Sequence, residues 1–182
     1  IPDWTRQDRD YLIKNLTETR DAVLKETERL TKAQWDFKES PDRWSIRQIT
    51  EHFAFWELLM QRDISRSIAL GPNPEGAGKT LDDKTIEGFI LEETPHISND
   101  YTAPFTFSQP MGLSKGQDNV AWFVKMRNEA ISYVSSTKDN LRLFILPTNG
   151  NSTHQLFITT WGHTQRHLRQ IRKVKAHPRY PK

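Results

Sequence analysis

The chain has no cysteine. Disulfides are excluded, and so are thiolate ligands, which leaves histidine nitrogen and carboxylate oxygen as the donors open to a transition metal. No apolar run reaches the roughly 18 residues that a membrane-crossing helix needs. A large excess of one charge is also missing. Lys and Arg number 26 against 23 Asp and Glu, a net charge of +3 that makes a weak case for nucleic acid. Lack of cysteine does not fix a compartment, and the first residue is Ile1 rather than Met. A soluble protein is expected, either cytoplasmic or exported after removal of an N-terminal signal peptide.

What is present reads as one helical domain over residues 1–182. The length suits a single core, and six Trp with nine Phe offset an apolar fraction of only 35%. A first amphipathic helix fits Thr5 to Leu30, with Leu12, Leu16, Thr19, Val23 and Leu30 on its stripe, followed by a reversing turn at Thr31 to Gln34. A second opens after Ser45, where Gln48 three residues on completes a capping box and Trp44 with Ile49 forms a hydrophobic staple. It runs to about Ala69, where Gly71 and Pro72 stop it. A third fits Lys115 to Thr137, carrying Val120, Val124, Arg127, Ile131 and Val134, with Trp122 and Phe123 widening the face. A fourth fits His154 to Lys175, with Phe157, Trp161, Thr164, Leu168 and Ile171 on one stripe. Residues 71–114 are broken by Pro72, Pro74, Pro95, Pro104 and Pro110, and only Leu81 to Leu91 suits a short helix. We expect this long loop to cover one end of the bundle, with Tyr101 to Phe107 extended and His96 on the surface. The fold class is therefore all-α, a four-helix bundle with a long crossover between helices 2 and 3.

The candidate chemistry lies in the fourth helix. His163 and His167 are four residues apart, so in a helix they stand on one face, one turn from each other, and can share a metal ion. Thr164 occupies the place of the Glu in the HExxH motif, which excludes that protease pattern. A third ligand must come from elsewhere. His52 in the second helix shares a face with Ser45, Ile49, Trp56 and Leu59 and so points inward, where a bare histidine needs a partner. Taken singly, these histidines are equally well read as hydrogen-bonded core residues. Together they make a three-His set on facing helices.

At this point the chain resembles the DinB/YfiT-like superfamily, a group of metalloenzymes. Trp44-Ser-Ile-Arg-Gln-Ile-Thr-Glu-His52-Phe is similar to its second-helix signature, and His163-Thr-Gln-Arg-His167-Leu-Arg-Gln170-Ile171 to its fourth-helix signature. The resemblance implies that His52, His163 and His167 bind one divalent ion, zinc or nickel. It also implies a metal-dependent transferase or hydrolase, with a low-molecular-weight thiol as a further cofactor where the reaction is thiol transfer, and a homodimer. A bundle that holds metal or a small ligand without turnover is the alternative. The small-molecule substrate is not legible, nor is any catalytic residue beyond the ligands.

Around the ligands, Gln48 and Gln170 are one turn or less from His52 and His167 and are candidates to orient them, with capping and a solvated face as their plainer roles. Trp56 reads as core. Glu51 adjoins His52 and must point elsewhere. Arg166, Arg169, Arg172, Lys173 and Lys175 gather at the end of the last helix, where the macrodipole favours cations, so polyanion binding is the weaker reading.

Overall fold

A computed structural model describes residues 2–92 and 108–182. Seven helices are found among them: α1 (Arg6–Thr27), α2 (Lys32–Asp36), α3 (Ile46–Ala69), α4 (Pro74–Ala77), α5 (Asp83–Leu91), α6 (Gly116–Ser136) and α7 (Thr153–Lys175). The only strand-like pairing among the described residues is an isolated bridge between Ile145 and Ser152. Among the described residues no helix is long and apolar enough to cross a membrane.

Helix starts follow local chemistry closely. Thr5, Thr31, Ser45 and Ser152 each accept a hydrogen bond from the backbone three residues on, and the residue there, Asp8, Gln34, Gln48 or Gln155, bonds back to the cap. Thr31 thus begins a short helix rather than the open turn expected from sequence. At the other end of α3, Gly71 adopts φ of 82°, and its N–H reaches the Ile68 carbonyl while Leu70 reaches Arg66. A left-handed residue here ends the helix without the penalty a side chain would bring.

Four helices form the bundle. α3 packs on α6 and α7, and α1 packs on the same two. The order around the bundle is therefore α1, α6, α3, α7, which places α1 across from α3 and α6 across from α7. The interior has two apolar clusters. One contains Leu12, Leu16, Leu59, Met60, Leu156 and Trp161; the other contains Val23, Ile49, Phe53, Phe123, Met126 and Leu168. On each helix a buried polar residue stands at or near the change from one cluster to the other: Thr19, Glu57, Arg127 and Thr164. Arg127, fully buried, pairs with the Glu57 carboxylate and donates to Thr19 Oγ1 at 2.7 Å, the Leu16 carbonyl at 3.1 Å and Thr164 Oγ1 at 2.8 Å. A single guanidinium thus meets all four bundle helices. Burial pushes the Glu57 carboxyl above its ordinary range, with Arg127 pulling the other way.

Two expected faces need revision. On α6 the core side carries Phe123, Met126 and Ala130, while Trp122 is turned to solvent against the edge of Phe55. On α7 the histidines are not at the rim of a stripe, because the helix is buried on nearly every side. The cause is α5, which lies along the side of α7 that would otherwise meet water. Gly162 makes this approach possible, since a Cβ there would stand 2.4 Å from Ile90 Cγ2. Arg166 and Arg169 then donate to the Phe89 and Leu91 carbonyls at 2.8 Å each, satisfying the end of α5. Gly162→Ala should destabilise by about 1–3 kcal/mol of overpacking, partly offset by better helix propensity. Thermal unfolding of the variant measures it, and an unchanged midpoint would refute the close packing.

The connection from α6 to α7 and the starts of α1, α5 and α7 are tied by charge. Arg142 bridges Asp8 at 2.8 Å and Asp83 at 2.7 Å, and His154, buried, takes the Trp4 indole N–H on Nδ1 at 3.1 Å while Nε2 lies 3.3 Å from Asp83. Burial raises the Asp83 carboxyl, but hydrogen bonds from His154 and Arg142 outweigh it and hold the group well below the usual carboxylate range. A depressed folded-state pKa means stability that is complete above the unfolded value of about 3.9 and is lost as pH falls through the folded one. The stability gap between the parent and Asp83→Asn should therefore be widest near neutrality and shrink below about pH 4. Urea unfolding across that range tests it; a gap that grows in acid would contradict the assignment.

Candidate metal centre

Ser45 caps α3 so that its second turn presents His52 to the middle of α7, where His163 and His167 stand a turn apart. All three rings are buried, at 3–4% exposure. His163 Nε2 lies 3.1 Å from His52 Nε2 and 3.2 Å from His167 Nε2. One ligand atom from each residue falls within 4.8 Å of the others, a spacing that could hold a metal ion.

The far side of the rings decides which form they take. His52 Nδ1 is 2.6 Å from the Ser108 carbonyl, and His167 Nδ1 is 2.7 Å from Gln170 Oε1. Both partners are oxygen acceptors, so both Nδ1 atoms carry the proton; the tautomer is inferred from these partners. In the neutral rings both Nε2 atoms then present lone pairs, and both face His163 Nε2, which has at most one proton to offer. Three nitrogens converging in this way are a donor set that suits a cation. Histidines that bind metal commonly show this arrangement, with the other ring nitrogen donating to a carbonyl. The residues present fit a divalent ion.

Indoles enclose the group. Trp56 belongs to the apolar core, as expected, and it also stacks on His163 with centroids 4.0 Å apart and planes at 10°. Trp44 lies against His52 at 4.9 Å and His167 at 6.4 Å. The staple position of Trp44 was legible; its contact with the histidine rings was not, because it depends on how α7 crosses α3.

Of the two glutamines, Gln170 contacts one of the three histidines and Gln48 does not. Gln48 Oε1 accepts from the Ser45 N–H at 3.0 Å, the capping role. Glu51 indeed points away from His52. Its buried carboxylate accepts the Met111 and Gly112 N–H groups at 3.0 and 2.8 Å, pinning the chain just past Ser108. Ser108 itself had no sequence signal, since a backbone carbonyl is the same in every residue. The histidine and extended segment expected at His96 and at Tyr101 to Phe107 lie outside the described residues. The basic end of α7 owes less to the macrodipole than expected. Arg172 and Lys175 pair with Glu26 at 2.8 and 2.9 Å, and Arg166 and Arg169 hold α5.

Replacing Gln170 by Leu, which keeps the volume but removes the acceptor, should weaken divalent-metal affinity about 10–100-fold. Competition against a chromophoric chelator would read it, and an unaltered affinity would show that the Gln170 contact is incidental.

A family model described as the DinB superfamily matches residues 15–171. Among solved structures, the chain is similar to YfiT from Bacillus subtilis, described as a probable metal-dependent hydrolase with an unusual four-helix bundle topology. Identity is 14% and the TM-score 0.56, over 96% of this chain and 90% of that one. At that identity the likeness speaks for the fold. No curated protein sequence matches the chain.

Proposed function

The chain belongs to the DinB superfamily, and on that footing we propose that it is a metal-dependent enzyme in which His52, His163 and His167 bind one divalent ion, zinc or nickel. The observation that carries this is the convergence of three Nε2 atoms, two of whose rings are committed, through Ser108 and Gln170, to offering lone pairs. An ion held by three neutral imidazoles keeps its full charge and supplies a Lewis acid that lowers the pKa of a water or thiol in a remaining position.

The protein's own part is orientation and exclusion of water. Ser108 and Gln170 fix the planes of two rings, and the Trp56 and Trp44 indoles enclose the group on two sides. The carboxylates nearest along α3 are committed elsewhere, Glu51 to two backbone N–H groups and Glu57 to Arg127. The proposal therefore assigns activation of the nucleophile to the ion rather than to a neighbouring acid or base. Water as nucleophile makes the protein a hydrolase, and a low-molecular-weight thiol makes it a transferase.

The test is turnover by zinc- or nickel-reconstituted protein against chelator-stripped protein. One panel holds activated esters and amides; the other pairs an alkylating electrophile with small thiols. Activity that requires metal and disappears in His52→Ala would support the proposal, and the panel that responds names the nucleophile. Stoichiometric metal with no turnover in either panel would replace it with a metal-holding bundle.

A further inference from the structure

A cavity of about 180 Å³ opens where the approach to α3 meets the last turns of α7, lined by Glu39, Arg43, Trp44, Gln170, Lys173 and Val174. Two of these residues also touch the histidines from behind. Trp44 lies beside His52 and His167, and Gln170 Oε1 holds His167 Nδ1. Gln170 is 5% exposed. Its oxygen is engaged, yet its Nε2 takes no partner among the described residues and is not sealed from solvent, and this cavity is the opening its side chain lines. An amide with one end on a ligand ring and the other end on a cavity is a connection between the two.

The charge around the opening favours an anion. Lys173 stands against one carboxylate, Glu39, and Arg179 adds a cation close by, donating to the Glu39 carbonyl at 3.1 Å. The C-terminal end of α7 opposes these with only about half a charge. Lys173 is also distinct from its neighbours. Arg172 and Lys175 are taken up by Glu26, whereas Lys173 forms no ion pair among the described residues. The remaining lining, the Trp44 ring and Val174, is apolar and asks for hydrocarbon.

We propose that this cavity binds a small organic carboxylate, and that its occupancy is coupled to the metal centre through Gln170. One carboxylate oxygen accepts from Gln170 Nε2, the other from the Arg43 or Lys173 cation, and the carbon body lies on Trp44 and Val174. Inorganic phosphate could use the cations but would leave both apolar walls unpaired. An acceptor on Nε2 polarises the amide, makes Oε1 a stronger acceptor, and so makes His167 Nε2 a better donor to a cation. Linkage requires the converse: metal tightens the carboxylate by the same factor. The coupling rests on the metal reading above; the binding does not.

The experiment follows the side-chain amide signals of metal-free protein by ¹H–¹⁵N NMR, with the Gln170 pair assigned from its loss in Gln170→Leu. Butyrate, acetate and inorganic phosphate are titrated in turn, with chloride at matched ionic strength. Butyrate should move the Gln170 pair saturably in the millimolar range, acetate more weakly and phosphate least. The surface double variant Arg43→Gln/Lys173→Gln should weaken butyrate by about tenfold or more. Shifts equal to those of chloride, or an affinity the double variant does not change, would overturn the site, and phosphate binding tighter than butyrate would overturn the carboxylate assignment. His163→Ala should still bind butyrate, which separates failure of the metal reading from failure of this one. In the parent, butyrate should raise zinc affinity several-fold, an effect erased in Gln170→Leu. Butyrate binding that leaves zinc affinity unmoved would remove the coupling.

Discussion

Arg127→Met is expected to cost about 3–5 kcal/mol of unfolding free energy, because it strands the Glu57 carboxylate inside the bundle. Glu57 is 1% exposed and Arg127 fully buried, so water cannot replace the lost partner. The same change removes the donors that meet Leu16, Thr19 and Thr164. For a chain of this length the loss corresponds to roughly 6–20 °C in the melting midpoint. The double variant Arg127→Met/Glu57→Leu should recover much of it, since replacing a buried ion pair by apolar side chains of similar volume is often neutral or favourable. Thermal and urea unfolding of the three proteins form the test. A single variant that melts with the parent would mean that the pair does not bear on stability.

The second large effect falls on metal content. His163 is the central member of the three, within 3.1 and 3.2 Å of the other two Nε2 atoms, so its removal leaves a pair that no third nitrogen among the described residues closes. In His163→Ala, zinc or nickel affinity should fall by more than the about 10–100-fold expected for losing an orienting contact. Mass spectrometry of untagged protein prepared without metal columns should find near one ion per chain in the parent and little in the variant. Circular dichroism should be unchanged, since α7 keeps its cap and its core contacts. Metal retained in the variant, or absent from a folded parent, would end the three-histidine proposal.

Much of the architecture was legible because it depends on neighbours in sequence. Ser45 with Gln48, Gly71, and the four-residue spacing of His163 and His167 act over one turn, and the helices they imply are present within a few residues. The inward aim of His52 was legible from its place between Ile49 and Trp56. What was not legible depends on contacts between distant segments. Arg127 fell on a helical stripe and could be placed on the core face, but its partner Glu57 lies 70 positions away and carries no mark of burial in sequence. The covering of α7 by α5 required Gly162 to meet Ile90, a match of a missing side chain with a present one. Trp122 was misplaced because a large aromatic was assumed to face inward, whereas Phe55 gives it a partner at the surface. Neither pattern nor propensity encodes such pairings.

The connection between α5 and α6 is fastened at both ends. Arg166 and Arg169 hold the carbonyls of Phe89 and Leu91, and Glu51 holds the N–H groups of Met111 and Gly112 beside the carbonyl that orients His52. In evolutionary terms the two partners at this end differ: any residue at position 108 supplies the carbonyl that meets His52, whereas only an acidic side chain at position 51 can take both N–H groups that hold that carbonyl in place. Drift at 108 is therefore nearly silent, and drift at 51 would reach a histidine it never touches.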